Sequence, residues 1–103
     1  MEKEKQTVII VTAYGEDNYY QKRYEYVVGI YTTVNKAIGG AKYDGLTNSQ
    51  IDFLNRINAF YSLNVAMLNN KGGVVFQVDY EEETDEEEEP CKSSYMFRTF
   101  NLD

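Results

Sequence analysis

Residues Tyr24 to Ala41 read YEYVVGIYTTVNKAIGGA, and within them the spacing of the apolar side chains changes once. Up to Thr33 the segment YEYVVGIYTT is β-branched and aromatic, which suits a pleated, half-buried strand. From Thr33 onward Val34, Ala37, Ile38 and Ala41 recur at helical spacing, the stripe of a helix that buries one face. A strand that runs straight into a helix calls for a sheet with helices laid over it. Gly39 and Gly40 each weaken that helix by about 1 kcal/mol relative to alanine, so they point to close packing on the sheet or to an early end.

On the amino-terminal side, Thr7 to Tyr14 (TVIIVTAY) reads as a buried strand antiparallel to the first, joined to it through Gly15 to Arg23 (GEDNYYQKR), a polar turn or long hairpin loop. On the other side, Thr47 and Gln50 form a T-x-x-Q capping box, with Leu46 and Ile51 at the staple positions. That box starts a helix expected from Asn48 to about Ser62. Ile51, Leu54, Ile57 and Tyr61 make its inner face, with Phe53 and Phe60 beside it. Leu63 to Leu68 (LNVAML) and Gly73 to Tyr80 (GVVFQVDY) read as alternating runs joined by hairpin chemistry at residues 69–72. Ser94 to Leu102 (SYMFRTFNL) makes a last strand. The expected order is ββααβββ, an α+β fold in which a mostly antiparallel sheet carries two helices on one face.

With 103 residues and 43% hydrophobic composition the chain has enough for one core, so residues 1–103 are expected to form a single domain with an acidic loop or strand extension at 79–92. The apolar run Thr7 to Ala13 is too short for a membrane span, and it lacks the pattern of a signal peptide. The expected location is the cytoplasm, with no membrane partner. A single cysteine, Cys91, forms no internal disulfide and supplies no thiolate set for zinc, in keeping with a reducing compartment. Lys92 beside it favours the thiolate, yet neither a resolving cysteine nor a histidine accompanies it, so no role is assigned.

The chain contains no histidine, which removes the commonest general base and the imidazole-dependent triads. It has no phosphate-binding glycine loop; Gly39, Gly40 and Gly45 have the wrong spacing for one. These features argue against an enzyme and against a bound cofactor.

The net charge of −7 is concentrated in one place. Asp79, Glu81, Glu82, Glu83, Asp85, Glu86, Glu87, Glu88 and Glu89 crowd eleven positions without a single base, and the rest of the chain holds eight acidic against ten basic residues. In an extended chain, at about 3.3 Å per residue, such a run carries one charge per roughly 4 Å. A DNA strand carries one per about 3.4 Å of axis. The run therefore resembles nucleic acid to a protein built to grip phosphates. It lacks the alternating ligands and sharp glycine turn of a calcium loop, so no metal site is assigned to it.

Tyr14, Tyr24, Tyr26, Tyr31 and Tyr80 fall on expected strands and read as packing residues. Tyr19 and Tyr20 fall in the polar loop, where exposed aromatics suit a binding surface as well as a simple loop anchor. The expected partner-binding set is the nine acidic residues together with Tyr19 and Tyr20. The expected partner is a protein with a basic surface. Direct nucleic-acid binding is disfavoured because the acidic run repels phosphates, and Lys22 and Arg23 make only a small basic spot.

The stretch Tyr26 to Ile38 (YVVGIYTTVNKAI) resembles the strand-then-helix unit of small uncharacterised proteins of phages and Gram-positive bacteria. The resemblance implies provenance and the strand–helix register, and it carries over no catalytic residue. Two functions compete. One is a phage-encoded inhibitor acting in the bacterial host cell, an anti-CRISPR-like DNA mimic that occupies the nucleic-acid channel of a CRISPR effector, a restriction enzyme or a DNA-processing factor. The other is a small regulatory or structural protein that self-associates as a homo-oligomer, its acidic loop merely solvated.

Overall fold

The computed structural model describes residues 6–17, 22–79 and 92–102. Its elements are β1 (Gln6–Asp17), β2 (Lys22–Tyr31), α1 (Val34–Asp44), α2 (Asn48–Arg56), α3 (Ala59–Leu68), β3 (Val75–Asp79) and β4 (Lys92–Leu102). The strands form one antiparallel sheet in the order β2-β1-β4-β3. The fold is α+β, as expected, but the order is ββαααββ rather than ββααβββ, and three helices replace two.

One core holds the layers together. Ile9, Val11 and Ala13 of β1, Tyr95 and Phe97 of β4 and Val78 of β3 point from one sheet face into a cluster with Val34, Ala37 and Ala41 of α1, Leu54 of α2, and Ala59, Phe60 and Leu63 of α3. The helices therefore cover that face.

The missed helix has an identifiable cause. Asn58 adopts a left-handed conformation, φ 58°, which ends the run begun at the capping box and restarts it as α3 with a shifted phase. The expected single helix from Asn48 to Ser62 is thus two. Leu54 is buried as expected, but Ile57 and Tyr61 face outward, because the new phase buries Ala59, Phe60, Leu63 and Ala66. Leu63 to Leu68, expected as a strand, is the second half of α3: Leu63, Ala66 and Met67 belong to the same helical stripe, and leucine, alanine and methionine are good helix formers. Residues 69–72 are accordingly no hairpin. They close α3, with Lys71 N–H donating to Ala66 at 2.8 Å, Asn70 N–H to Met67 at 3.1 Å, and Asn70 left-handed at φ 51°. Buried Thr99 of β4 then fastens the connection, its Oγ1 donating to the Lys71 carbonyl at 2.9 Å.

The capping box is present as expected. Thr47 N–H donates to Gln50 Oε1 at 2.9 Å, and Gln50 N–H donates to Thr47 Oγ1 at 3.2 Å. Within Gly15 to Arg23, expected as a polar turn or long hairpin loop, residues 15–17 and 22–23 are strand, with Asp17 opposite Lys22, and residues 18–21 lie outside the described residues.

A bulge in β2 decides which way its tyrosines point. Val11 lies opposite Gly29 and Thr12 opposite Val27, so Val28 is an extra residue. Beyond it the alternation flips, and Tyr24 and Tyr26 join Tyr31 on the helix side.

Helix α1 runs through both of its glycines, so the early end does not occur. At Gly40 a β-carbon would overlap the Tyr31 phenol, whereas at Gly39 nothing lies within 4 Å. Close packing on the sheet thus explains Gly40 alone. Gly40→Ala is expected to destabilise the fold by about 1–3 kcal/mol through overpacking. Gly39→Ala should stabilise it by about 0.4–1 kcal/mol. Paired denaturant titrations check the opposite signs, and two shifts of the same sign would contradict this packing.

Candidate functional site

Strand order brings the residues that flank the two candidate binding segments to one end of the sheet. The chain leaves β1 at Asp17 and enters β2 at Lys22; it leaves β3 at Asp79 and enters β4 at Lys92. In the ladders Glu16 lies opposite both Arg23 and Lys92, Tyr14 opposite Ser94, and Ser94 opposite Asp79. All four points of departure and entry therefore sit at the same edge of the molecule. Of the expected binding residues, Asp79 is exposed on the last turn of the β3 ladder, where its Oδ1 accepts from Ser94 Oγ at 2.7 Å and from Gln77 Nε2 at 3.3 Å. Glu81, Glu82, Glu83, Asp85, Glu86, Glu87, Glu88, Glu89, Tyr19 and Tyr20 lie outside the described residues, as do Tyr80 and Cys91.

Near this end a tyrosine clamp ties sheet to helix. Asp44, the last residue of α1, uses one oxygen, Oδ2, to accept from Tyr26 Oη at 2.7 Å and from Tyr95 Oη at 2.8 Å. Tyr24 stacks on Tyr26 with ring centroids 5.9 Å apart. Gly45, at φ 132°, follows Asp44 and allows the chain to turn under the Tyr95 phenol, with Leu46 N–H donating to Ala41 at 2.9 Å. Donation to Asp44, aided by burial, pushes Tyr26 up to about 12. Burial first, and the same carboxylate second, push Tyr95 well above the ordinary phenol range. The sequence alone places Tyr24 and Tyr26 in cross-strand packing and gives no sign of Asp44. The deciding feature is the bulge at Val28, for which Gly29 beside it is the local signal.

A raised phenol pKa keeps the folded state protonated where the unfolded chain ionises. Stability from the clamp is therefore full below pH 10, the ordinary phenol value, and is lost as pH rises from there toward the folded values. Asp44→Asn should make the two phenols ionise earlier. A tyrosinate absorbance titration of the ten tyrosines checks this; curves that superimpose would contradict the clamp.

The sheet face away from the helices is open. Val27 is 58% and Ile30 63% exposed there, with Phe100 and Val75 half exposed and the Arg98 guanidinium 5.9 Å from the Phe100 ring centroid. Burial, together with the charge and hydrogen bond of Glu25, raises the Tyr14 phenol on the same face. Among the described residues no group of three His, Cys, Asp or Glu side chains is placed to hold a metal ion, and no helix is long and apolar enough to cross a membrane.

Comparison with family models, with curated proteins and with solved structures gave no match.

Proposed function

We propose that this protein is a non-catalytic binding module whose acidic segment, Asp79 to Glu89, engages the basic surface of a protein partner, with Tyr19 and Tyr20 contributing an apolar contact. One observation carries this reading: strand order β2-β1-β4-β3 anchors both segments to the same end of one sheet. Strand ends that fix both ends of each segment limit the conformational freedom that a contact must give up. The charge spacing suits a partner that normally grips phosphates. The resemblance of Tyr26 to Ile38 to phage and Gram-positive proteins favours a host nucleic-acid-binding protein, such as a CRISPR effector, a restriction enzyme or a DNA-processing factor, inhibited by mimicry in the bacterial cytoplasm.

The open sheet face favours a second reading, self-association through Val27, Ile30, Val75 and Phe100. A net charge of −7 opposes it at low salt. The two readings part on salt. Capture of a basic partner should weaken as ionic strength rises and should weaken about tenfold or more at low salt with Glu86 to Glu89 changed to glutamine, whereas pairing through an apolar face should strengthen or stay constant.

A further inference from the structure

Helix α2 lies alongside β3, which is an edge strand among the described residues, and between them runs a groove of about 390 Å³. Its helix wall is Ser49, Phe53 and Arg56, which share one face at i, i+4 and i+7, together with Gln50. Its strand wall is Gln77, Val78 and Asp79. Three consecutive strand residues line it, whereas a depression on a sheet face would be lined by alternate ones. The groove therefore meets β3 along its edge, where backbone N–H and C=O groups have no neighbouring strand among the described residues.

Gln50 points to what the groove receives. It is only 3% exposed, and its Nε2 has no hydrogen-bond acceptor among the described residues. Its orientation is settled by the capping box, since the Thr47 N–H can only donate and must face Oε1. A buried amide donor without an acceptor is costly. It stands at the amino end of α2, whose dipole favours negative charge. Arg56 is exposed at the far end of the same wall, and Phe53 is a half-exposed apolar surface between them. Asp79, the one acid in the lining, is held by Ser94 and Gln77.

We propose that this groove takes up an extended peptide segment of a partner protein as an added strand on β3, with acidic side chains of that segment received at Gln50 and Arg56 and an apolar one beside Phe53. Main-chain bonds to an edge strand supply affinity, and alternate side chains facing the helix supply selectivity. The site shares Asp79 with the acidic segment, so its test uses substitutions outside that segment.

The probe is a blocked hexapeptide of alternating glutamate and valine, titrated into the full chain while backbone amide resonances are followed. Shifts are expected along Val75–Asp79 and Asn48–Arg56, with outward β3 amides gaining exchange protection. Gln50→Glu keeps the capping box, because glutamate serves at that position, but turns the free donor into an acceptor. It should weaken binding about tenfold, one charge-assisted hydrogen bond, and lower thermal stability because it buries a carboxylate, so its native amide spectrum is checked first; a lysine–valine peptide should then bind it better than the native chain does. Arg56→Ala should weaken the acidic peptide similarly. Equal affinity of the native and Gln50→Glu chains overturns the proposal. So do shifts confined to the open sheet face, no binding at millimolar peptide, β3 amide shifts that depend on protein concentration alone, which would assign the edge to a second copy, or β3 amides already protected in the free chain at every concentration, which would assign it to the chain's own residues 80–91.

Discussion

Replacing Phe97 by alanine is expected to cost about 3–5 kcal/mol, a large part of the stability of a domain this size. Phe97 is fully buried on β4, the strand between β1 and β3, opposite Val11 on one side and Phe76 on the other. Its ring meets Phe60 of α3 edge-on, with centroids 5.9 Å apart and planes at 80°. Truncation thus leaves a cavity where sheet and helix layers join, and close-packed neighbours collapse into it only in part. Phe100, three residues later on the open face and half exposed, is the control, and its alanine variant should cost about 1 kcal/mol or less. Denaturant midpoints for the two variants check the contrast. Similar losses at both sites would mean that the helices do not cover the face described.

The same contrast shows how far the residues alone disclose the fold. Strands β1, β2 and β4, helix α1 and the start of α2 follow from local signals: alternation, the change of period at Thr33, and the Thr47–Gln50 box. Helix α3 does not, because Leu63 to Leu68 is apolar on nearly every position, and such a run has no clear period until its neighbours Ala59 and Phe60 fix its phase. The break at Asn58 is likewise silent, since asparagine suits a helix interior poorly but does not forbid it. The acidic run is legible as chemistry from its composition. That its flanking residues Asp79 and Lys92 share one end of the sheet with Asp17 and Lys22 is not, because that depends on β4 inserting between β1 and β3, a pairing between distant parts of the chain. The Asp44 clamp needs both that pairing and the bulge at Val28.

The second large effect is expected at the acidic segment. Exposed like charges contribute little to folding, so replacing Glu86, Glu87, Glu88 and Glu89 together by glutamine should leave thermal stability nearly unchanged, or raise it slightly by relieving repulsion. Association with a basic partner behaves differently. Long-range attraction speeds the encounter of opposite surfaces, and ions screen it over about 10 Å at 0.1 M salt. Losing four of the nine charges between Asp79 and Glu89 should therefore slow association about tenfold or more at low salt. Dissociation should change less if Tyr19 and Tyr20 hold the apolar part of the contact.

The most direct test is the association rate of the native and the four-glutamine chains with a captured basic partner, measured at low and at moderate ionic strength. Mimicry predicts a rate for the native chain that falls steeply with salt, and a slower, flatter dependence for the variant. Equal rates and equal salt dependence would contradict it and leave the segment between β3 and β4 as a solvated connection.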